Sequence, residues 1–295
     1  MTKHKIDVYT LIESEIYKLK KLGIETANLD CRLLLTKSLE LNKTLYNHQN
    51  INITDNEFKN FKHLIMQRLS GKPVSRIINK KGFWNNEFEL NDETLDPRPD
   101  SETVIEAVLK HFKSKTQILK ILDLGSGSGC LGLSLLEEYP HSEVSFFDVS
   151  KKSLEIVKIN SLNFGLFDRS KFINLDWTDE NWITDLVKIE NDTKFDIIVS
   201  NPPYIPTEDI NNLQKEVQVY DPFIALNGGE EGLQAYHLII PKLKNIMNKN
   251  GKIFFEIGKG QENCITKIAK EHGLLPQEYR KDLSGVIRVI TFIIK

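Results

Sequence analysis

The chain has 295 residues, of which 40% are hydrophobic and 27% charged, with a net charge of −2, a balance that argues for a soluble globular protein and against disorder or a fibrous repeat. No uninterrupted apolar stretch approaches the roughly 18 to 20 residues that cross a bilayer, and the polar start Met1-Thr2-Lys3-His4-Lys5-Ile6-Asp7 leads into no signal segment, so a cytoplasmic protein of two domains, monomeric and without membrane contact, is expected. Residues 1–90 hold 15 Lys+Arg against 10 Asp+Glu and the remainder 24 against 31, an asymmetry too mild to predict sequence-specific nucleic-acid binding.

Between Val8 and Leu22 the apolar residues Val8, Leu11, Ile12, Ile16, Leu19 and Leu22 recur at helical spacing. A second helical run contains Leu29, Leu33, Leu34 and Leu39, and a third opens on a capping box, Thr54 with Glu57, before Phe58, Phe61, Leu64, Ile65 and Leu69. No strand pattern interrupts these runs, and Gly71 with Pro73 ends them. The segment Phe83-Trp84-Asn85-Asn86-Glu87-Phe88-Glu89-Leu90 reads as two short strands around an Asn-Asn turn. The expected organisation is a helical domain over 1–75, a hairpin linker over 76–100 and an α/β domain over 101–295.

After Asp96-Pro97-Arg98-Pro99-Asp100 helix and strand patterns alternate, starting with a helix over Ser101 to Phe112. Strands are expected at Leu119 to Leu124, Val144 to Asp148, Lys171 to Asp176, Phe195 to Ser200 and Lys252 to Ile257. Gln277 to Leu283 and Val286 to Ile293 sit back to back across Ser284-Gly285, too close for a crossover helix, so that pair must be antiparallel.

Asp123-Leu124-Gly125-Ser126-Gly127-Ser128-Gly129 carries a strand through a Gly-rich turn into a helix, where an α/β sheet presents its loops to a ligand. The turn lacks the Gly-Lys-Ser/Thr end of a phosphate loop and departs from the Gly-x-Gly-x-x-Gly of dinucleotide sites, which leaves a nucleoside ligand or a plain tight turn. Asp148 ends the next strand and suits a ribose diol, or equally a helix N-cap; Asp176-Trp177 ends the one after, where an aromatic wall could face an adenine or belong to the core. Cys31, Cys130 and Cys264 are far apart and the seven histidines are scattered, so free, mostly buried thiols and no metal site are expected.

The fourth strand runs into Asn201-Pro202-Pro203-Tyr204. Two successive prolines remove two backbone donors and fix φ, so the turn offers carbonyl oxygens with no amide of its own to compete for them. A planar NH2 group fits: with one N–H on the Asn201 side-chain oxygen and one on the Pro202 carbonyl, its lone pair is aimed at a methyl donor and positive charge developing on nitrogen is stabilised. Tyr204 could stack on the planar acceptor.

With these residues the chain resembles the peptide chain release factor N5-glutamine methyltransferases of the PrmC/HemK type, a likeness that also takes in Gly71-Lys72-Pro73-Val74, the Phe83-Trp84 hairpin, Pro97-Arg98-Pro99-Asp100-Ser101-Glu102 and Lys281-Asp282-Leu283-Ser284-Gly285. The resemblance implies a Rossmann-like class I methyltransferase domain, a mostly parallel seven-stranded sheet with a terminal antiparallel pair, behind a small helical substrate-recognition domain. It implies S-adenosylmethionine as cofactor, with S-adenosylhomocysteine as product, contacted by Gly125, Ser126, Gly127, Ser128, Gly129, Asp148, Trp177 and Asn201. It further implies class 1 release factors as partners, with the glutamine of their Gly-Gly-Gln motif held by Asn201, Pro202, Pro203 and Tyr204, of which Asn201, Pro202 and Tyr204 serve catalysis. Asp96 and Val286 to Arg288 depart from the family pattern. The alternatives are glutamine methylation of a ribosomal protein, adenine-N6 methylation of nucleic acid, or a non-catalytic binding protein that kept the fold.

Overall fold

In the computed structural model residues 3–295 are described; Met1 and Thr2 of the polar start lie outside them. Residues up to Lys80 form one compact unit together with Gln214–Tyr220, and Lys81–Leu213 with Asp221–Lys295 form a second, larger one. Among the described residues no helix is long and apolar enough to cross a membrane.

The smaller unit holds strand β1 (Lys3–Asp7), helices α1 (Val8–Lys21) and α2 (Ala27–Ser38), strand β2 (Asn50–Thr54), and helices α3 (Asp55–Leu69) and α4 (Val74–Ile78). The apolar stripes of α1, α2 and α3 converge in one core containing Val8, Ile12, Leu34 and Phe61, and the capping box at Thr54 and Glu57 is formed. Strands are nonetheless present, contrary to the sequence reading: β1 and β2 pair antiparallel, Ile6 opposite Ile51. Each has only five residues, and alternation as brief as Asn-Ile-Asn-Ile-Thr looks like a loop until Ile53 is seen in the core. Pro73 stands before a further helix as the N-cap of α4, with φ −58° and an extended ψ of 146°. Phe61 is core, Phe58 partly exposed.

Arg68 joins two parts of this unit. Its guanidinium, nearly buried, donates to Asp30 at 2.8 Å and to Glu216 at 2.6 Å. Glu216 belongs to the Gln214–Tyr220 segment, which the chain contributes from far downstream.

The larger unit opens with the hairpin of β3 (Lys80–Phe83) and β4 (Asn86–Glu89), followed by α5 (Glu102–His111). The turn is Trp84-Asn85, one residue earlier than the Asn-Asn turn read from the sequence. Trp84 takes the left-handed conformation at φ +54°, with its backbone N–H on Glu102 (2.8 Å) and its indole N–H on Glu138 (2.9 Å). Phe83 and Phe88 are buried in the same core as Val104 and Leu133, so the hairpin is packed structure where a linker was expected.

Alternation then builds β5 (Lys120–Leu124), α6 (Cys130–Glu138), β6 (Glu143–Asp148), α7 (Lys151–Asn163), β7 (Ser170–Asn174), α8 (Trp182–Ile189) and β8 (Phe195–Ser200). After α9 (Lys215–Tyr220), which belongs to the smaller unit, come the short α10 (Phe223–Leu226), α11 (Gln234–Leu243), β9 (Met247–Glu256), α12 (Glu262–Glu271), β10 (Leu274–Lys281) and β11 (Ile287–Ile294). The seven strands lie in the order β10-β11-β9-β8-β5-β6-β7. Neighbours from β9 to β7 are parallel and β11 is antiparallel to both β9 and β10, the plan read from the sequence. A core lies on each face of the sheet.

Gly132 shows how tightly α6 sits on β6. A Cβ there would lie 2.4 Å from the Phe146 ring and 2.9 Å from Val144. Overpacking of that kind costs about 1–3 kcal/mol, so Gly132→Ala should lower the melting temperature by several degrees in a calorimetric comparison with the wild type.

Candidate active site

Strands β5 and β8 lie side by side and parallel, with Leu124 opposite Ser200. The Ser200 hydroxyl donates to the Leu124 carbonyl at 2.6 Å. From β5 the chain adds β6 and β7 on one side and then crosses to β8 and β9 on the other, so the strand order reverses between β5 and β8 and a crevice opens beyond their carboxyl ends. A cavity of about 490 Å³ occupies it, lined by Asp123, the Gly125–Ser128 turn, Asp148, Asp176, Trp177, Asn201 and Pro203.

The Gly-rich turn is pinned to the neighbouring strand. Gly125 N–H and Ser126 N–H both donate to the Phe147 carbonyl (2.8 and 3.0 Å), and Gly127 N–H donates to the Asp148 carboxylate at 2.8 Å. Gly125 and Gly127 have φ of +75° and +54°, a region open to glycine at little cost. A Cβ on Gly125 would press on Trp177 at 2.9 Å, whereas Gly127 has open space in front of it. Gly129 does not line the cavity: it starts α6, and a Cβ there would strike Val157 of α7 at 2.8 Å. At this position the sequence reading had a ligand contact, and the structure shows close packing against α7.

Asp148 stands at the rim of the turn, its second oxygen accepting from Ser150 N–H at 2.8 Å. Burial pushes its carboxyl above the ordinary value against the pull of these two backbone donors. The N-cap of α7 is Ser150, bonded to Ser153 N–H, so the capping alternative for Asp148 falls away. Trp177 lies parallel to Phe147, interplanar angle 1° and centroids 6.1 Å apart, as a flat wall beside Gly125. The Ser126 hydroxyl is buried with no partner, which suits a site completed by a polar ligand.

At the other end Asn201 donates its amide N–H to Ser101 Oγ at 3.2 Å, which turns its side-chain oxygen away from Ser101. Pro203 lines the cavity with it; Pro202 and Tyr204 do not. The Tyr204 ring packs against the apolar core, its hydroxyl on Glu256 at 3.4 Å, where the sequence reading had it stack on the acceptor. Phe223 of α10 lines the cavity as Trp177 does, and with Ile224 it is more than half exposed.

Several residues at the site escaped the sequence reading. Ser101 was taken only as a helix start, and Arg98, whose guanidinium pairs with Asp221, only as part of a motif. Glu256 ends the apolar run Ile253-Phe254-Phe255, where a lone carboxylate is itself a signal. Phe223 and Ile224 belong to a four-residue helix with no period to read. The departing Asp96 is buried and lines the cavity; Arg288 pairs with Asp100 and Asp282, both at 3.3 Å. Cys264 is exposed, unlike the buried Cys31. Among the described residues no group of His, Cys, Asp and Glu is arranged to hold a metal.

Two family models match the chain: the methyltransferase small domain over residues 100–225 and the PrmC N-terminal domain over residues 13–78. A release factor glutamine methyltransferase of Bradyrhizobium diazoefficiens is 36% identical over 93% of this chain and 90% of its own length. Another from Caulobacter vibrioides is 33% identical, with 92% and 91% covered. A bifunctional methyltransferase of Rickettsia felis is 35% identical over 93% of this chain, which spans only 56% of that longer protein.

Asp123, fully buried and bonded to Gly132 N–H at 2.9 Å, is pushed from 3.8 up to about 7, first by burial and then by repulsion from Asp148. The folded state therefore keeps a proton that the unfolded chain loses above pH 3.8, and stability falls as pH climbs from there through about 7. Asp123→Asn, which still offers an oxygen to Gly132, has no such titration. Denaturant unfolding at pH 4.5 and pH 8 should show the wild type losing a few kcal/mol relative to the variant; an unchanged gap would sink the assignment.

Proposed function

We propose a reaction from one premise, that this chain belongs to the release factor glutamine methyltransferase family: it methylates the side-chain amide nitrogen of the glutamine in the Gly-Gly-Gln motif of class 1 release factors, using S-adenosylmethionine, in the cytoplasm. The observation that carries this reading is the shared cavity, with an Asn201 side chain whose N–H end is tied back to Ser101 and a pinned Gly-rich turn opposite.

The residues present fit the cofactor. Buried carboxylates at Asp123 and Asp148 complement a ligand carrying a sulfonium and an ammonium. The unpartnered Ser126 hydroxyl offers a hydrogen bond, the space before Gly127 admits ligand atoms, and Trp177 gives a flat surface for an adenine. When bound, S-adenosylmethionine supplies an electrophilic methyl group.

The chain's own work is on the acceptor. A carboxamide nitrogen is a poor nucleophile because its lone pair is delocalised, so it has to be oriented and its developing charge stabilised. The Asn201 side-chain oxygen accepts one N–H and the carbonyl of Pro202, which stands in the chain between the lining residues Asn201 and Pro203, the other, and the nitrogen lone pair faces the cavity. An N-protonated amide is a strong acid, so the surplus proton leaves without a dedicated base. Phe223 and Ile224 give the cavity an apolar lip against which the backbone around the glutamine rests. The smaller unit serves recognition of the release factor.

Labelled methyl transfer to class 1 release factors, ribosomal proteins and duplex DNA, with mass spectrometry to locate the mark, tests the reading. Asn201→Ala should reduce transfer to the Gly-Gly-Gln glutamine roughly 100- to 1000-fold, the loss of about 2.7–4 kcal/mol that follows removal of one oriented transition-state hydrogen bond. Label on a ribosomal protein or on adenine would overturn the substrate and keep the chemistry.

A further inference from the structure

The Asn201-Pro202-Pro203-Tyr204 turn lacks two backbone donors, so its far end has to be fixed by another part of the chain. Gln261, the residue before α12, supplies that anchor. Its side-chain amide donates to the Tyr204 carbonyl at 2.9 Å and to the Gly232 carbonyl at 3.2 Å, and its oxygen accepts from Gly258 N–H at 2.9 Å. Two carbonyls can meet only the NH2 end of an amide and an N–H only its oxygen, so the partners fix which way the side chain points. We propose that Gln261 is a positioning residue for methyl transfer: by holding the Tyr204 end of the turn it sets where the Asn201 oxygen and the Pro202 carbonyl stand. The inference rests on those two oxygens being the ones that hold the acceptor nitrogen.

The three partners come from three separate segments: the chain leaving β8, the loop before α11 and the chain leaving β9. β8 and β9 are parallel neighbours, so the chain leaves both strands at the same edge of the sheet. Glycine makes room for the amide between them. A Cβ on Gly232 would lie 2.3 Å from the Tyr204 carbonyl oxygen and 2.7 Å from Gln261 Nε2, and one on Gly258 would lie 2.7 Å from Gln261 Oε1. The next residue, Ile205, donates its N–H to the Leu226 carbonyl (3.1 Å) and accepts from Gly228 N–H (2.9 Å). The anchored stretch thus continues to α10, whose Phe223 and Ile224 line the cavity.

At its near end the turn is held by Ser200 on Leu124 and by Asn201 on Ser101. Between the ends the two prolines fix φ, which leaves the turn few ways to absorb a displacement at Tyr204 other than moving the Pro202 carbonyl. Two oxygens have to meet the two N–H groups of one nitrogen together, so a shift of either misdirects its lone pair. The Gly-rich turn is pinned separately, on Phe147 and Asp148. Loss of the Gln261 anchor therefore acts on the acceptor and spares the methyl donor.

Two near-isosteric variants test the proposal, and Gln261 is only partly buried, so neither places a new group deep in the core. Gln261→Glu keeps an acceptor for Gly258 N–H and turns an oxygen toward both carbonyls; Gln261→Met removes all three bonds and adds no charge. The first measurement is methyl transfer to a class 1 release factor, with kcat referred to sites counted by calorimetric binding of S-adenosylhomocysteine. Each variant should lose on the order of 100-fold in kcat, as expected when a reacting group is misplaced by an ångström, with KM for the methyl donor little changed. A residue that only supported the fold would lower the number of sites and leave each at the wild-type kcat. The second is the side-chain amide resonance of Asn201 in protein labelled with 15N-asparagine, assigned by its disappearance in Asn201→Ala; it should move in both variants. An Asn201 resonance that moves, in a protein that methylates no glutamine, would overturn the reaction and leave the positioning standing. Glutamine methylation with variants that keep the wild-type kcat per site, or that leave the Asn201 resonance in place, would overturn the positioning alone.

Discussion

The placement of Leu124 opposite Ser200, at the ends of two parallel strands, is the constraint on which the rest of the site depends. Parallel pairing aligns carboxyl ends, so the turns that follow β5 and β8 emerge together although 76 residues separate them in sequence. The hydrogen bond from Ser200 to Leu124 closes the seam between the strands just before they diverge. One turn, rich in glycine, lets a ligand approach the backbone. The other, rich in proline, lacks two backbone donors. The two halves of a transfer reaction thus face each other because the sheet changes direction there.

Around this seam the fold buries carboxylates at a cost it does not fully offset. Asp123 and Glu256 are held up near 7, and Asp148 is raised as well. Elsewhere buried charge is paired: Asp30 and Glu216 share Arg68, and Glu15 has Lys18 and Lys62. A buried carboxylate with incomplete compensation is destabilising, and such groups cluster where a protein binds or reacts. Arg288 gives Glu256 only distant relief, since its guanidinium is shared between Asp100 and Asp282.

Much of this was legible in the amino-acid sequence, for identifiable reasons. The strands from Leu119 to Ser200 are continuous apolar runs because parallel strands are covered on both faces, and the turns that end them carry glycine or proline for backbone reasons that hold in any context. What escaped depended on tertiary neighbours. Five-residue strands such as Asn50–Thr54 are too short for alternation to register. Phe83 and Phe88 could not be known to enter the larger core before α5 and α6 were placed. Gly129 looks identical to Gly127 in sequence and differs only in having Val157 against it. Tyr204, next to Asn201 and Pro203, was read as part of the cavity; its ring finds a deeper home against the core, and its hydroxyl serves Glu256.

On the proposed reading, in which the Asn201 side-chain oxygen and the Pro202 carbonyl each take one N–H, one asparagine and a proline turn would also discriminate among nitrogen nucleophiles. A lysine ammonium has no lone pair to aim until it loses a proton. A hydroxyl has one hydrogen and leaves one of the two oxygens unsatisfied, which in a water-poor cavity costs about 1–3 kcal/mol. A carboxylate brings acceptors against acceptors and is repelled. Only a planar NH2 satisfies both oxygens at once while keeping its π face exposed. The selection is therefore made by unmet hydrogen bonds more than by shape, the kind of discrimination that reaches larger ratios than a methylene's worth of apolar contact. It holds as long as Asn201 presents oxygen and not nitrogen, the orientation that its N–H on Ser101 gives it.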